Sequence, residues 1–284
     1  MSYVNFIDGA LILRDHKADI HKFRLQWYID DFLTNMIAKH LNTWITAALN
    51  RNVVVLTVDI RGTFDYERWI TSGHHFLCNI FNCGTLAELK LKVDVELEIQ
   101  KDKEDTDQEG IALSKYYYSK ITFPKSMDLH CLKVLELEAL DINDLNNLFL
   151  RSNCPPLLEY LSIKSSRISI DNCSDKDWFS IESFTLKYLE LKNNCIVPKK
   201  IKLNVPNLLT FVCEDYTWHE YSMENITSLV CAHIEMLDFS SKGQGDHYLK
   251  LCEEEKVLCA TRAMDFLKAL DIVNELQLSS GILE

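Results

Sequence analysis

Few side chains in this sequence are spaced for chemistry. His74 and His75, with Cys78 three residues after His75 and Cys83 close by, give an H-x-x-C spacing of the kind that supplies zinc ligands. No second ligand pair follows at a recognised spacing, so the expectation is a helix-start histidine pair beside buried thiols. Trp218-His219-Glu220-Tyr221 sets an acid next to a base. Neighbours in sequence rarely face one another and no nucleophile motif accompanies them, so a surface loop is expected. The eight glycines form no phosphate-cradling G-x-G-x-x-G or G-x-x-x-x-G-K and no G-x-S-x-G elbow. Tyr116-Tyr117-Tyr118 reads as a strand or loop with alternating faces. The expectation is a chain that is not an enzyme and carries no metal and no cofactor.

Composition narrows the class further. Of 284 residues, 47% are hydrophobic and 25% charged, an ordinary balance for a globular chain able to bury a full core. No run of 18 apolar residues occurs, so no membrane span is expected. The opening segment lacks a basic n-region and carries Asp8 within its apolar run, so it does not read as a secretory signal. The ten cysteines are scattered without C-x-x-C pairs and read as reduced, mostly buried thiols of a cytoplasmic or nuclear protein. The sequons at Asn172 and Asn225 then read as chance matches. A net charge of -12 disfavours nucleic acid and anionic membrane as partners, because neutralising phosphates takes clustered Lys and Arg. The charge-rich run 101–110 reads as a solvated loop.

What must position any functional side chain is a repeat. The pattern apolar-x-x-apolar-x-apolar occurs nine times. It appears at Ile20/Phe23/Leu25, Val53/Leu56/Val58, Leu86/Leu89/Leu91, Leu132/Leu135/Leu137 and Leu158/Leu161/Ile163, then at Leu186/Leu189/Leu191, Leu208/Phe211/Cys213, Leu229/Ala232/Ile234 and Val273/Leu276/Leu278. Successive starts lie 33, 33, 46, 26, 28, 22, 21 and 44 residues apart, against a leucine-rich-repeat unit of roughly 20–29 residues, the longer steps holding insertions. The second and third apolar residues of each unit share one face of a short strand, and stacked units bury that face together. Between the strands, 32–50, 142–153 and 260–276 read as helices, and 204–216 suggests tighter loops. The expected fold is α/β: a leucine-rich-repeat solenoid over 1–284, one domain, with a curved parallel sheet of about nine short strands and helices and loops on the convex face.

Several stretches resemble the leucine-rich-repeat region of plant F-box proteins of the F-box/FBD/LRR type. These are FIDGALILRDHKADIHKFRLQW (6–27), NTWITAALNRNVVVLTVDI (42–60), FNCGTLAELKLKV (81–93), LKVLELEALDINDLNNLFLRSNCPPLLEYLSI (132–163), NVPNLLTFVCEDY (204–216), YSMENITSLVCAHIEM (221–236) and LCATRAMDFLKALDIVNELQLSSGILE (258–284). They follow the family's order. The resemblance implies a substrate-recognition solenoid of a ubiquitin-ligase receptor. The family's F-box, which opens on Leu-Pro and binds a Skp-type adaptor, has no counterpart before the first repeat, and the FBD domain has none after the last. Adaptor binding is therefore not expected, and a stand-alone scaffold or competitor for substrates is the alternative. Terminal repeats without caps would leave the chain sticky or marginally stable. Small-molecule sensing fits poorly, since nine repeats make an open arc.

The concave face is the expected binding surface, for a protein substrate or partner. Its outward residues include Lys22, Arg24, Lys90, Glu136, Tyr160, Tyr188, Glu190 and His233. Tyr160 and Tyr188 share a register in consecutive repeats, which places them roughly 5 Å apart, and paired aromatics are candidate anchors. Lysines and glutamates alternate around them, a mixed face suited to a protein ligand.

Overall fold

Apolar residues at every second position make short strands with one face to bury, and the chain pairs those strands side by side. The computed structural model describes residues 3–13, 18–29, 34–64, 78–97, 119–150, 154–170, 177–196, 200–216, 219–237 and 253–279. Within them sixteen strands, numbered in chain order, form three parallel sheets. The largest runs β1 (Lys22–Ile29), β2 (Val55–Phe64), β3 (Glu88–Leu97), β5 (Val134–Glu138), β7 (Tyr160–Lys164), β10 (Tyr188–Lys192), β13 (Thr210–Tyr216), β15 (Cys231–Leu237), β16 (Glu275–Leu278). Each of these nine strands carries the second and third apolar residues of one sequence repeat. The fold is α/β with parallel strands.

Cross-strand pairing stacks those residues in rows. Leu56, Leu89, Leu135, Leu161, Leu189, Phe211 and Ala232 are register partners in succession, and all are fully buried. The next row, Val58, Leu91, Leu137, Ile163, Leu191, Cys213 and Ile234, is buried as well. The first apolar residue of four of the units closes a tight turn before its strand. Leu86, Leu132, Leu158 and Leu208 donate their N–H to the carbonyls of Cys83, Leu129, Pro155 and Val205, at 3.0–3.2 Å. Hydroxyls tie neighbouring units together: Thr85 donates to the Val53 carbonyl at 3.0 Å and Thr185 to the Leu158 carbonyl at 2.8 Å. The pattern ends at β16, which pairs on one side only, with β15. There Leu276 and Leu278, expected to point inward, stay about two-fifths exposed (44% and 43%).

The return segments differ from expectation. Helices and loops were expected behind the sheet, whereas much of the return path is strand. One four-stranded sheet is ordered β11 (Cys195–Ile196), β8 (Arg167–Ser169), β6 (Leu140–Asn143), β4 (Ser119–Thr122). A three-stranded sheet is ordered β14 (Glu220–Glu224), β12 (Lys200–Asn204), β9 (Phe179–Glu182). The cause is a sharp corner after β5, β7 and β10, where Ala139, Ser165 and Asn193 take positive φ angles of 56°, 48° and 52°. The chain turns there into β6, β8 and β11 with no room for a helix. Buried polar groups satisfy the backbone at the corner. Asn194 accepts from the Ser166 N–H at 3.0 Å and donates to the Ile163 carbonyl at 2.8 Å, while the Ser166 hydroxyl accepts from the Leu140 N–H at 3.2 Å.

Three helices occur among the described residues. Helix α2 (Thr34–Leu49) matches the stretch expected at 32–50 and buries Leu41, Trp44, Ile45 and Ala48, the i, i+3, i+4, i+7 stripe of an amphipathic helix. Helix α1 (Tyr3–Leu13), not anticipated, packs on α2, with the Trp44 indole N–H donating to Asp8 at 2.7 Å. Helix α3 (Glu253–Lys268) begins and ends before the 260–276 expected for it. The helix expected at 142–153 is instead a five-residue 3₁₀ turn, Leu145–Phe149. Asp144 before it is left-handed, and the side chains of Asn146 and Asn147 bond neighbouring strands and loops, including the Phe123 carbonyl at 2.8 Å. Run 101–110, Tyr116–Tyr118, His74–His75 and most of the long insertion before α3 lie outside the described residues. No helix among the described residues is long and apolar enough to cross a membrane.

Leu161 sits mid-row with buried neighbours on both sides. Leu161→Ala is expected to cost about 2–5 kcal/mol in urea unfolding, the usual range for a cavity in a closed core. A loss below about 1 kcal/mol would mean that the row does not carry the sheet.

Candidate functional site: the open face of the nine-stranded sheet

The face opposite the buried rows is polar, half-exposed and ordered by the same register. Three rows cross it. The first is Lys22, Val55, Glu88, Val134, Tyr160, Tyr188, Thr210, Cys231 and Glu275. The second is Arg24, Thr57, Lys90, Glu136, Ser162, Glu190, Val212, His233 and Gln277, and the third contains Asp59, Lys92, Glu138, Lys164, Lys192, Glu214 and Glu235. All eight residues expected on one binding face lie in the first two rows. They are not one cluster: Lys22 and Arg24 are exposed on the β1 edge, His233 lies towards the other edge, and the rest occupy the centre.

The centre is internally paired. Lys90 meets Glu136 at 2.6 Å and Lys92 meets Glu138, both directly across β3 and β5. Tyr160 and Tyr188 stack with ring centroids 4.4 Å apart and planes 2° from parallel, and both remain half-exposed. Beside them Glu190, expected on the binding face, is buried at 4% exposure and held from three sides. Lys164 reaches it at 2.9 Å, Lys192 at 3.2 Å, and the Ser162 hydroxyl donates at 2.8 Å. Two lysines from register-paired positions close over it, so it braces the surface around the tyrosines. Burial opposes ionisation of Glu190, but the bonds from Lys164, Ser162 and Lys192 outweigh it and hold the carboxyl below its ordinary value. Burial, then the charge of Glu190, pushes the Tyr160 and Tyr188 phenols up, so both are neutral donors at pH 7.

Next to Tyr188 the face sinks into a hollow of about 380 Å³, lined among others by Lys192, Val212, Glu214, His233, Glu235 and Gln277. Beside it, Cys231 and Glu275 converge on His233, which lines the hollow. The Cys231 sulfur lies 2.9 Å from His233 Nε2, and one ligand-type atom from each residue lies within 4.8 Å of the others. Partial burial and then the Glu275 carboxylate raise the Cys231 thiol above its ordinary value. No metal site was expected anywhere in the sequence, and this juxtaposition was missed. Its signal was present, since Cys231 and His233 are two apart on one strand and the repeat register sets Glu275 opposite Cys231.

A second group was also missed. His219, expected on a surface loop, is buried, its Nδ1 2.8 Å from both Asp215 oxygens and its Nε2 3.3 Å from the Ile196 carbonyl. The Tyr221 hydroxyl donates to the same carboxylate and lies 3.4 Å from the Cys213 sulfur. Burial pushes the Cys213 thiol well up, and desolvation with the Asp215 charge does the same for Tyr221. With Cys213, Asp215 and His219 buried and Tyr221 half-buried over them, this quartet clamps β13 to the following segment. The thiols, expected mostly buried, divide more evenly. Of the seven cysteines whose side chains are described, all free, Cys83, Cys213 and Cys259 are buried, Cys131, Cys154 and Cys231 are half-buried, and Cys195 is exposed.

A parallel sheet built from a recurring leucine unit, with a polar face of anchored aromatics, defines the class of architecture. Comparison with known proteins adds a lineage. Distant homologues of the chain are F-box proteins of Arabidopsis thaliana, one of them an F-box/LRR-repeat protein 26% identical over 294 residues, covering 100% of this chain and 48% of that protein. Two others, both named F-box proteins, are 29% and 25% identical over 83% of this chain, and 39% and 41% of their own lengths. The chain thus spans less than half the length of these relatives. No family profile matches the sequence, and no solved structure matches it.

The depressed carboxyl of Glu190 sets a direction in pH. Its contribution is fully present above the ordinary carboxylate value and is lost as pH falls through the lower folded one. Glu190→Gln is expected to lower stability by about 1–3 kcal/mol at pH 7, with the gap to wild type closing as pH drops below about 4. Urea unfolding at several pH values checks this, and a gap independent of pH would contradict it.

Proposed function

We propose that the chain is a leucine-rich-repeat solenoid that binds a protein partner on the open, concave face of its large sheet and performs no catalysis. The role is that of the substrate-recognition region of an F-box ubiquitin-ligase receptor, working in the cytoplasm or nucleus. The observation that carries the reading is the stacked Tyr160–Tyr188 pair, half-exposed at the centre of a polar face and bordered by the hollow. Aromatic rings fixed in place before binding contribute contact area with little further loss of side-chain entropy, and such residues are enriched among binding hot spots. The Lys–Glu pairs around them satisfy one another, as suits the polar rim of a protein interface and not a polyanion site. The F-box names of the distant homologues support the pathway.

The test is affinity purification from plant cells of the wild-type chain and of the Tyr160→Ala/Tyr188→Ala double variant, each shown to be folded by its melting curve. Proteins that bind through this face are expected to lose roughly 2 kcal/mol of binding energy, about thirtyfold in affinity, and to drop out of the variant's set. An unchanged set from the folded variant would sink the reading. Co-purification with a Skp-type adaptor, scored by size exclusion, separates the ligase link from binding. A stable complex supports the link, and separate elution of the folded chain removes it while leaving partner recognition in place.

A further inference from the structure

Beside the hollow, reached through His233 in its wall, stands a second set of groups with chemistry of its own. Cys231 and His233 project from β15 on the same side, because alternate residues of a strand share a face. Glu275 lies directly across the ladder from Cys231 on β16. The sulfur, an imidazole nitrogen and a carboxylate oxygen lie within 4.8 Å of one another. Ligands about 2.0–2.3 Å from a common zinc ion stand some 3–4 Å apart, so small side-chain rotations close the set. The charges also fit. A thiolate and a carboxylate with a neutral imidazole balance one divalent cation.

The surroundings favour a cation too. Glu214 and Glu235 are register partners that line the same hollow. Among the described residues no Lys or Arg forms an ion pair with Glu214, Glu235 or Glu275, whereas the carboxylates of the central rows meet lysines. Lys192, the register partner of Glu214, also borders the hollow but is turned to Glu190 at 3.2 Å, and the Glu214 carboxylate accepts only from the neutral Asn193 amide among the described residues. The acidic end of the face therefore lacks the compensation that its centre has.

We propose that Cys231, His233 and Glu275 form a binding site for a zinc-class divalent metal ion, with a fourth coordination position left open. Sulfur and imidazole donors select zinc and its neighbours in the first transition row over magnesium and calcium, which prefer all-oxygen shells. Three protein ligands leave one position for water or for a donor atom from outside the chain. The site goes beyond the docking function and does not depend on it.

The test uses the full chain, reduced and stripped of metal, titrated with cobalt(II) as a spectroscopic probe and then with zinc(II) against a chromophoric chelator. Wild type is expected to show a thiolate-to-cobalt charge-transfer band that saturates at one equivalent and is displaced by zinc. Cys231→Ser and His233→Ala are expected to abolish that band, and Glu275→Gln to weaken zinc binding about tenfold or more. Cys195→Ser, at an exposed thiol away from the site, is expected to leave both readouts unchanged. Cys231 and His233 are half-buried and Glu275 is exposed, and a melting curve for each variant confirms folding. Absence of the band in wild type overturns the proposal, as does a band that survives Cys231→Ser or disappears with Cys195→Ser.

Discussion

Strand register is the constraint on which everything else in this chain rests. Side chains alternate with a period of two, so a slip of one residue in any ladder would turn a buried leucine outward and a lysine or glutamate inward. The fully buried row from Leu56 to Ala232 prevents that slip at seven consecutive strands. The opposite face inherits its order from the same lock. Tyr160 stacks on Tyr188, and Lys90 finds Glu136, because the leucines beneath them fix each strand's position. The surface rows thus need little stabilising energy of their own to be well placed.

Parallel in-register stacking has a cost that the polar face has to manage. Equivalent positions of successive units lie opposite one another, so a repeated charge meets itself. Lys164 faces Lys192, and Glu214 faces Glu235. Like charges in direct opposition destabilise a sheet. For the lysines the remedy is Glu190, one alternation back on the same face, which sits between them and accepts from both. The corner behind the sheet shows the same economy in polar groups. The left-handed residues Ala139, Ser165 and Asn193 reverse the chain in one step, and the backbone groups freed there are met by Ser166 and Asn194, both almost fully buried. The buried Asn194 amide, bonded to two backbone groups of the preceding unit, ties the end of β7 to the start of β8 behind it.

How far the sequence discloses this depends on whether a feature is local or made by neighbours. The nine strands of the large sheet are legible because Leu-x-x-Leu-x-Leu states both a tight turn and an alternation within six residues. The facing of Tyr160 and Tyr188 follows from the same spacing, and so does the helix that buries Trp44. The return strands are not legible in this way. Cys195–Ile196 and Arg167–Ser169 are too short to show an alternation, and they become strands only because the corner before them leaves the chain beside an earlier strand. The asparagines at 146 and 147 looked like helix interior, but their side chains serve backbone groups of other units, a demand invisible in the local sequence. Glu190 carries no mark distinguishing it from Glu136, yet one is buried and the other is not. The difference lies in the lysines on each side, at 164 and 192. His219 went unread for the same reason, since its partners Asp215 and Tyr221 converge only when the strand ends pack.

The two halves of the open face differ in what they have to offer a ligand. Around Tyr160 and Tyr188 the charges are already paired, so an incoming surface would exchange one set of satisfied ion pairs for another, and exposed pairs of that kind contribute little net energy. On the proposed docking, affinity there comes from covering the aromatic rings, with the charges setting which partners are rejected. Towards β16 the balance reverses. Glu214, Glu235 and Glu275 form no ion pair with a lysine or arginine among the described residues, and His233 and Cys231 stand beside Glu275. Covering that end with an apolar surface would strand carboxylates without water or counter-charge, an expensive arrangement. A cation removes the penalty, whether it comes as a metal ion or as a basic side chain of the partner. Two adjoining zones of one sheet, built from one repeating unit, thus impose opposite requirements: apolar contact at the tyrosines and positive charge at the hollow.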